Sequence, residues 1–178
     1  MPKTRSTTIV AVRRDGVTAL AGDGQITVGD TIFKAHTNKL RTMRDGKVIV
    51  GYAGSAADAL ALFERLEAKL EEYSGNVQRA CVELVKQWRM DKVLRHLEAM
   101  LIVADRESLL LVSGNGDIIT PDGDVIAIGA GGGYAQAASL AMLKHTTLTA
   151  EEIAREALLI ASAICIYTND HVSVEVVR

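Results

Sequence analysis

Apolar and polar residues change rhythm several times along this chain, and each change marks an element. Residues 7–13 form a nearly unbroken β-branched run that reads as a strand, Asp15-Gly16 as a hairpin turn, and residues 17–21 as the returning strand. Gly22-Asp23-Gly24 ends it, a polar stretch follows as far as Asp45-Gly46, and residues 47–54 read as another strand. From Ser55 the period becomes helical, with Ala59, Leu60, Phe63, Leu66 and Leu70 on one stripe until Gly75, and Asn76 then caps a second helix bearing Ala80, Leu84, Val85 and Trp88. Strands are predicted over residues 99–104, 108–112 and about 117–120, the last two joined by an Asn115-Gly116 turn. Residues 125–128 form a further strand that runs through a glycine-rich loop, 129–133, into a helix from Tyr134 to about Lys144. Thr149 and Glu152 make a capping box for a last helix reaching toward Tyr167, and residues 171–177 alternate as a closing strand.

Strand pairs alternating with helix pairs, without regular βαβ order, predict an α+β fold. Two antiparallel sheets face to face, with helices over both outer surfaces, account for the helical stripes and the apolar strands together. The expected architecture is thus a four-layer αββα sandwich, with residues 7–178 as one domain behind a leader of residues 1–6.

Composition narrows the function. A chain of 178 residues that is 48% hydrophobic and 24% charged suits one packed domain. A net charge of −2 and a pI near 6.1 give no field to gather nucleic acid or an anionic membrane, and no apolar run approaches a membrane span. Cys81 and Cys165 sit in apolar, helix-like contexts that point to buried thiols and a reducing cytoplasm. His36, His96, His145 and His171 are scattered without paired-ligand spacing, so a histidine-rich metal site is not expected. The 129–133 loop departs from a dinucleotide fingerprint because Tyr134 stands where its third glycine belongs, and no G-K-[ST] phosphate loop occurs.

The candidate chemistry lies at the start of the chain. If the bond between Ser6 and Thr7 were cut, Thr7 would carry a free α-amine beside its own hydroxyl, the arrangement of an activated threonine nucleophile. By itself a Thr-Thr pair also suits a strand start, and Lys34, Lys39 and Asp23 could be solvated or turn residues.

The combination of Thr7-Thr8-Ile9-Val10-Ala11-Val12-Arg13-Arg14 with Ala21-Gly22-Asp23-Gly24-Gln25 resembles the mature start of the HslV family of bacterial proteasome-like peptidases. Gly51-Tyr52-Ala53-Gly54, Ser113-Gly114-Asn115-Gly116-Asp117, Ala127-Ile128-Gly129 and Ile164-Cys165-Ile166-Tyr167-Thr168-Asn169 continue the likeness in the same order. The resemblance implies an N-terminal-nucleophile hydrolase fold and a threonine endopeptidase. It implies Thr7 as nucleophile, Lys39 as the active-site lysine, Asp23 as its carboxylate partner and Gly51 as the backbone N–H donor to the oxyanion. It also implies a monovalent cation, sodium, held by the backbone carbonyls of Ser162, Cys165 and Thr168, and no organic cofactor. Where relatives often carry a serine, this chain has Ala130, which implies one hydrogen bond fewer near the site and slower chemistry.

The implied partner is an HslU-type AAA+ unfoldase, which would use the ATP. Two stacked six-membered rings would enclose the sites, and unfolded polypeptide would be the substrate. Two other readings remain: an N-terminal-nucleophile amidohydrolase working on a small amide without an unfoldase, and a silent ring scaffold that keeps its leader.

Overall fold

The structure is a computed structural model that describes residues 7–92 and 99–178; the leader and His96 lie outside the described residues. Its elements, in order, are β1 (Thr8–Arg14), β2 (Val17–Gly22), β3 (Ile26–Val28), β4 (Thr31–Lys34), β5 (Leu40–Met43), β6 (Val48–Gly54), α1 (Ala56–Glu72), α2 (Val77–Met90), β7 (Ala99–Ala104), β8 (Leu109–Val112), β9 (Ile118–Ile119), β10 (Val125–Gly129), α3 (Gly132–His145), α4 (Ala150–Ser162) and β11 (Ser173–Val177). One antiparallel sheet runs β10-β1-β2-β11, a second runs β5-β6-β7-β8-β9, and β3 pairs with β4 as a separate ribbon.

Side-chain alternation along β1 sorts the core into layers. Ile9 and Ala11, with Leu20 and Ile128 of the same sheet, face the second sheet and share a core with its Leu40, Ile49 and Ile102. Val10 and Val12 point the other way, against Ile153, Ala157 and Leu158 of α4. On the far face of the second sheet, Val50, Leu101 and Val103 pack on Leu62, Leu66, Leu84 and Trp88 of α1 and α2. The period of two thus places alternate residues of one strand in two different cores, which yields the expected αββα order.

Local signals hold where they are strong. Asp15 and Gly16 have φ of 53° and 76°, as a two-residue hairpin with right-handed strand twist requires. Ser55, Asn76 and Thr149 each cap a helix through their side chains, and Thr149 and Glu152 close a reciprocal capping box.

Three expectations are corrected. The polar stretch after Gly24 contains β3, β4 and β5; all four residues of β4 are exposed, so no alternating apolar face announces it. In α1 the inward leucine is Leu62, while Leu60 is 56% exposed. The last helix stops at Ser162, short of Tyr167, and just past it the Ile164 N–H makes a tight i−3 bond to the Ala161 carbonyl at 3.1 Å, as a frayed final turn does. Cys165 is accordingly buried in a turn rather than in a helix.

Candidate active site

The end of β2 meets the start of β1 in the first sheet, and the segment before β5 arrives from the second, so the site forms where the sheets' edges converge. Asp23 follows β2 directly and is fully buried. Its Oδ1 accepts the Thr8 backbone N–H at 2.8 Å and Lys39 Nζ at 2.9 Å; its Oδ2 accepts the N–H groups of Gln25 and Asn169 at 3.0 and 3.3 Å. Four donors occupy the roughly four lone-pair positions of a carboxylate, which fixes Asp23 in orientation.

Lys39 is 1% exposed and donates to Asp23 and to the Gln25 carbonyl. Burial pulls its ammonium below the usual lysine value, and the attraction and hydrogen bond of Asp23 recover only part of that shift. The third N–H of the ammonium has no protein acceptor among the described residues.

Thr7 is fully buried, and its Oγ1 has no hydrogen-bond partner among the described residues. A buried orphan hydroxyl costs about 1–3 kcal/mol and is retained where chemistry uses it. Its backbone φ of 111° is a strained conformation for a β-branched residue. The strain sits on the torsion that follows the Ser6–Thr7 bond and disappears if that bond is cut. The Thr7 carbonyl accepts the Ala130 N–H at 3.0 Å, and a Cβ on Gly129 (φ 92°) would stand only 1.8 Å from the Thr7 oxygen, so only glycine allows this approach.

Neighbouring polar residues that the sequence did not flag complete the frame. Thr8 Oγ1 lies 2.7 Å from Thr168 Oγ1 and accepts the Gly131 N–H at 2.9 Å, tying β1 to the α3 entrance and to the turn after α4. Asn169 joins three segments: its Oδ1 accepts the Gly24 N–H at 3.0 Å, its Nδ2 donates to the Ala35 carbonyl at 2.8 Å, and its own N–H reaches Asp23. No titratable group marks Asn169 in the sequence; its position after an apolar helix and before a strand was the available signal. Asn169→Ala removes the side-chain bridge from the Gly24 N–H to the Ala35 carbonyl, one of the links between the Asp23 and Lys39 segments. It is expected to lower kcat for peptide hydrolysis about 10²-fold with little change in KM, read by steady-state kinetics.

Gly51 sits in the second sheet opposite Leu40, and a Cβ there would approach Ile9 Cγ2 to 2.8 Å, so its small size lets the two sheets close. The neighbouring Tyr52 N–H donates to the Lys39 carbonyl at 3.2 Å, and on its other side Gly51 stands opposite Ile102 of β7.

The structure brings Thr7, Asp23 and Lys39 into one neighbourhood and leaves Lys34 exposed on β4. Ser162 is the last residue of α4, and Cys165 and Thr168 lie in the segment after it, where the Cys165 carbonyl accepts the Thr168 N–H at 3.1 Å. Among the described residues no helix is long and apolar enough to cross a membrane.

Known proteins resemble this chain over nearly its whole length. The proteasome subunit family model matches residues 3–177. The ATP-dependent protease subunit HslV of Aquifex aeolicus is 61% identical over 171 residues, covering 96% of this chain and 97% of its own length. That of Petrotoga mobilis is 56% identical over 97% of both chains. The crystal structure of eukaryotic HslV from Trypanosoma brucei superposes with a TM-score of 0.91 at 44% identity, covering 96% of this chain and 99% of that one.

Proposed function

We propose, because this chain belongs to the proteasome family and is the proteolytic subunit of an ATP-dependent protease, that Thr7 attacks substrate peptide bonds once it carries a free α-amine. The observation that carries this reading is the buried, unpartnered Thr7 hydroxyl, one peptide away from an Asp23 carboxylate that is ion-paired to Lys39.

With residues 1–6 removed, the amine takes the hydroxyl proton as Oγ1 adds to the carbonyl. An α-amine titrates near pH 8 unperturbed, and the Lys39 charge disfavours its protonated form, so it serves as a base near neutrality. Asp23 holds Lys39 in place. Gly51 offers its backbone N–H to the oxyanion, a task that needs a backbone donor rather than a side chain. The ammonium then returns its proton to the leaving amine, and water, deprotonated by the same amine, releases the acyl group from Thr7.

ATP is used by a separate HslU-type AAA+ unfoldase, since the chain has no phosphate loop, and the setting is cytoplasmic. Unfolded polypeptide is the substrate. Self-association into two stacked hexameric rings would cover exposed apolar side chains: Ile32 and Phe33 on the β3–β4 ribbon, and Ile164 and Ile166 after α4. A sodium ion on the carbonyls of Ser162, Cys165 and Thr168 would balance the negative end of α4 and steady the turn that carries Thr168 to Thr8.

The test is hydrolysis of an unstructured protein by the mature chain. Adding the cognate ATPase with ATP is expected to raise the rate at least about tenfold, whereas ATP alone has no effect. Full-rate hydrolysis of small amides, unchanged by the ATPase and with no cleavage of protein, would instead favour the amidohydrolase reading.

A further inference from the structure

The histidines that look scattered in sequence are not all apart in space. The rings of His36, in the segment between β4 and β5, and His171, in the segment leading into β11, have centroids 3.9 Å apart at an interplanar angle of 44°. In parallel rings the nitrogen lone pairs lie in planes that never meet; this tilt makes the two planes converge on one side of the pair. Both residues are solvent-exposed, so an ion can reach them.

The two backbones are fastened to each other. Asn169 donates from Nδ2 to the Ala35 carbonyl at 2.8 Å and accepts the His171 N–H on Oδ1 at 3.3 Å. Part of the ordering that a metal would impose is thus already in place. The rings line a surface cavity of about 460 Å³ together with Thr37, Arg155 and Asp170. Thr37 Oγ1 is buried there without a hydrogen-bond partner among the described residues, and Asp170 adds a carboxylate to the wall.

We propose that His36 and His171 form a two-imidazole site for a borderline divalent cation of the Zn²⁺ class, with water completing the coordination. Neutral imidazole is a preferred ligand of such ions, and Zn–N bonds of about 2.0–2.1 Å require the exposed rings to open by roughly an ångström. Among the described residues no cluster of three histidine, cysteine or acidic ligands exists, so this is an open, exchangeable site. A bound ion would bridge the segment leading to Lys39 with the one carrying Asn169.

The experiment is calorimetric titration of ZnCl₂ into the full chain and into His36→Gln and His171→Gln, with thermal unfolding in the absence of metal to confirm that each variant is folded. One Zn²⁺ per chain is expected to bind the parent protein at least about tenfold more tightly than either variant, and Zn²⁺ to raise the Tm of the parent alone. Equal isotherms for the three proteins, or no binding to the parent, would overturn the proposal. Neither readout depends on peptide hydrolysis, so the outcome stands apart from the role of Thr7.

Discussion

Thr7→Ala is expected to lower peptide hydrolysis at least about 10⁴-fold, because it deletes the atom that forms the acyl-enzyme bond and no neighbouring hydroxyl can replace it. The nearest alternative, Thr8 Oγ1, is already engaged with Thr168 and Gly131. Stability should hardly fall, since Thr7 Oγ1 has no hydrogen bond to lose among the described residues. An inactive protein with an unchanged urea midpoint would therefore locate the loss in chemistry rather than in folding. Substantial residual turnover would show that another group attacks the substrate.

The second large effect concerns the Asp23–Lys39 pair. Both side chains are fully buried, so removing one leaves an uncompensated charge, a loss of about 3–5 kcal/mol in comparable pairs. Asp23→Asn and Lys39→Met should each cost stability on this scale, and both should reduce hydrolysis by about 10²-fold or more through loss of the charge beside the amine. The double variant Asp23→Asn/Lys39→Met, with no buried charge remaining, should recover part of the stability and none of the activity.

The lowered value of Lys39 gives this prediction a pH signature. Between the folded value and the ordinary 10.5, the unfolded chain binds a proton that the folded chain has released, so this group's contribution to stability rises with pH across that window. Lys39→Met loses that rise. Urea midpoints of the two proteins, followed upward in pH toward 10.5, should diverge in favour of the parent; parallel curves would contradict the account.

Most of the layer order was legible because it rests on short-range signals. Asp15-Gly16 dictates a hairpin turn locally, and the alternation of Ile9, Val10, Ala11 and Val12 reports a strand buried on both faces. The exposed β4 strand had no such pattern, since its place comes from pairing with β3. The end of α4 was equally hidden, because no glycine or proline follows Ser162 to mark it.

The site divides along the same line. Thr7, Asp23 and Lys39 stand out by chemical type and by resemblance, whereas Thr8, Asn169 and Gln25 act through hydrogen bonds of uncharged groups that appear only once the segments meet. His36 and His171 meet for the same reason: their segments are joined through Asn169.

The central claim is that Thr7 becomes the first residue of the working enzyme. Its most direct measurement is the intact mass of protein purified in active form, taken on the same sample whose peptide hydrolysis is recorded. The account predicts a mass equal to residues 7–178, with activity scaling with the fraction of chains of that mass. A fully active sample whose chains all retain residues before Thr7 would contradict it, because such a chain has no α-amine at Thr7 to accept the proton.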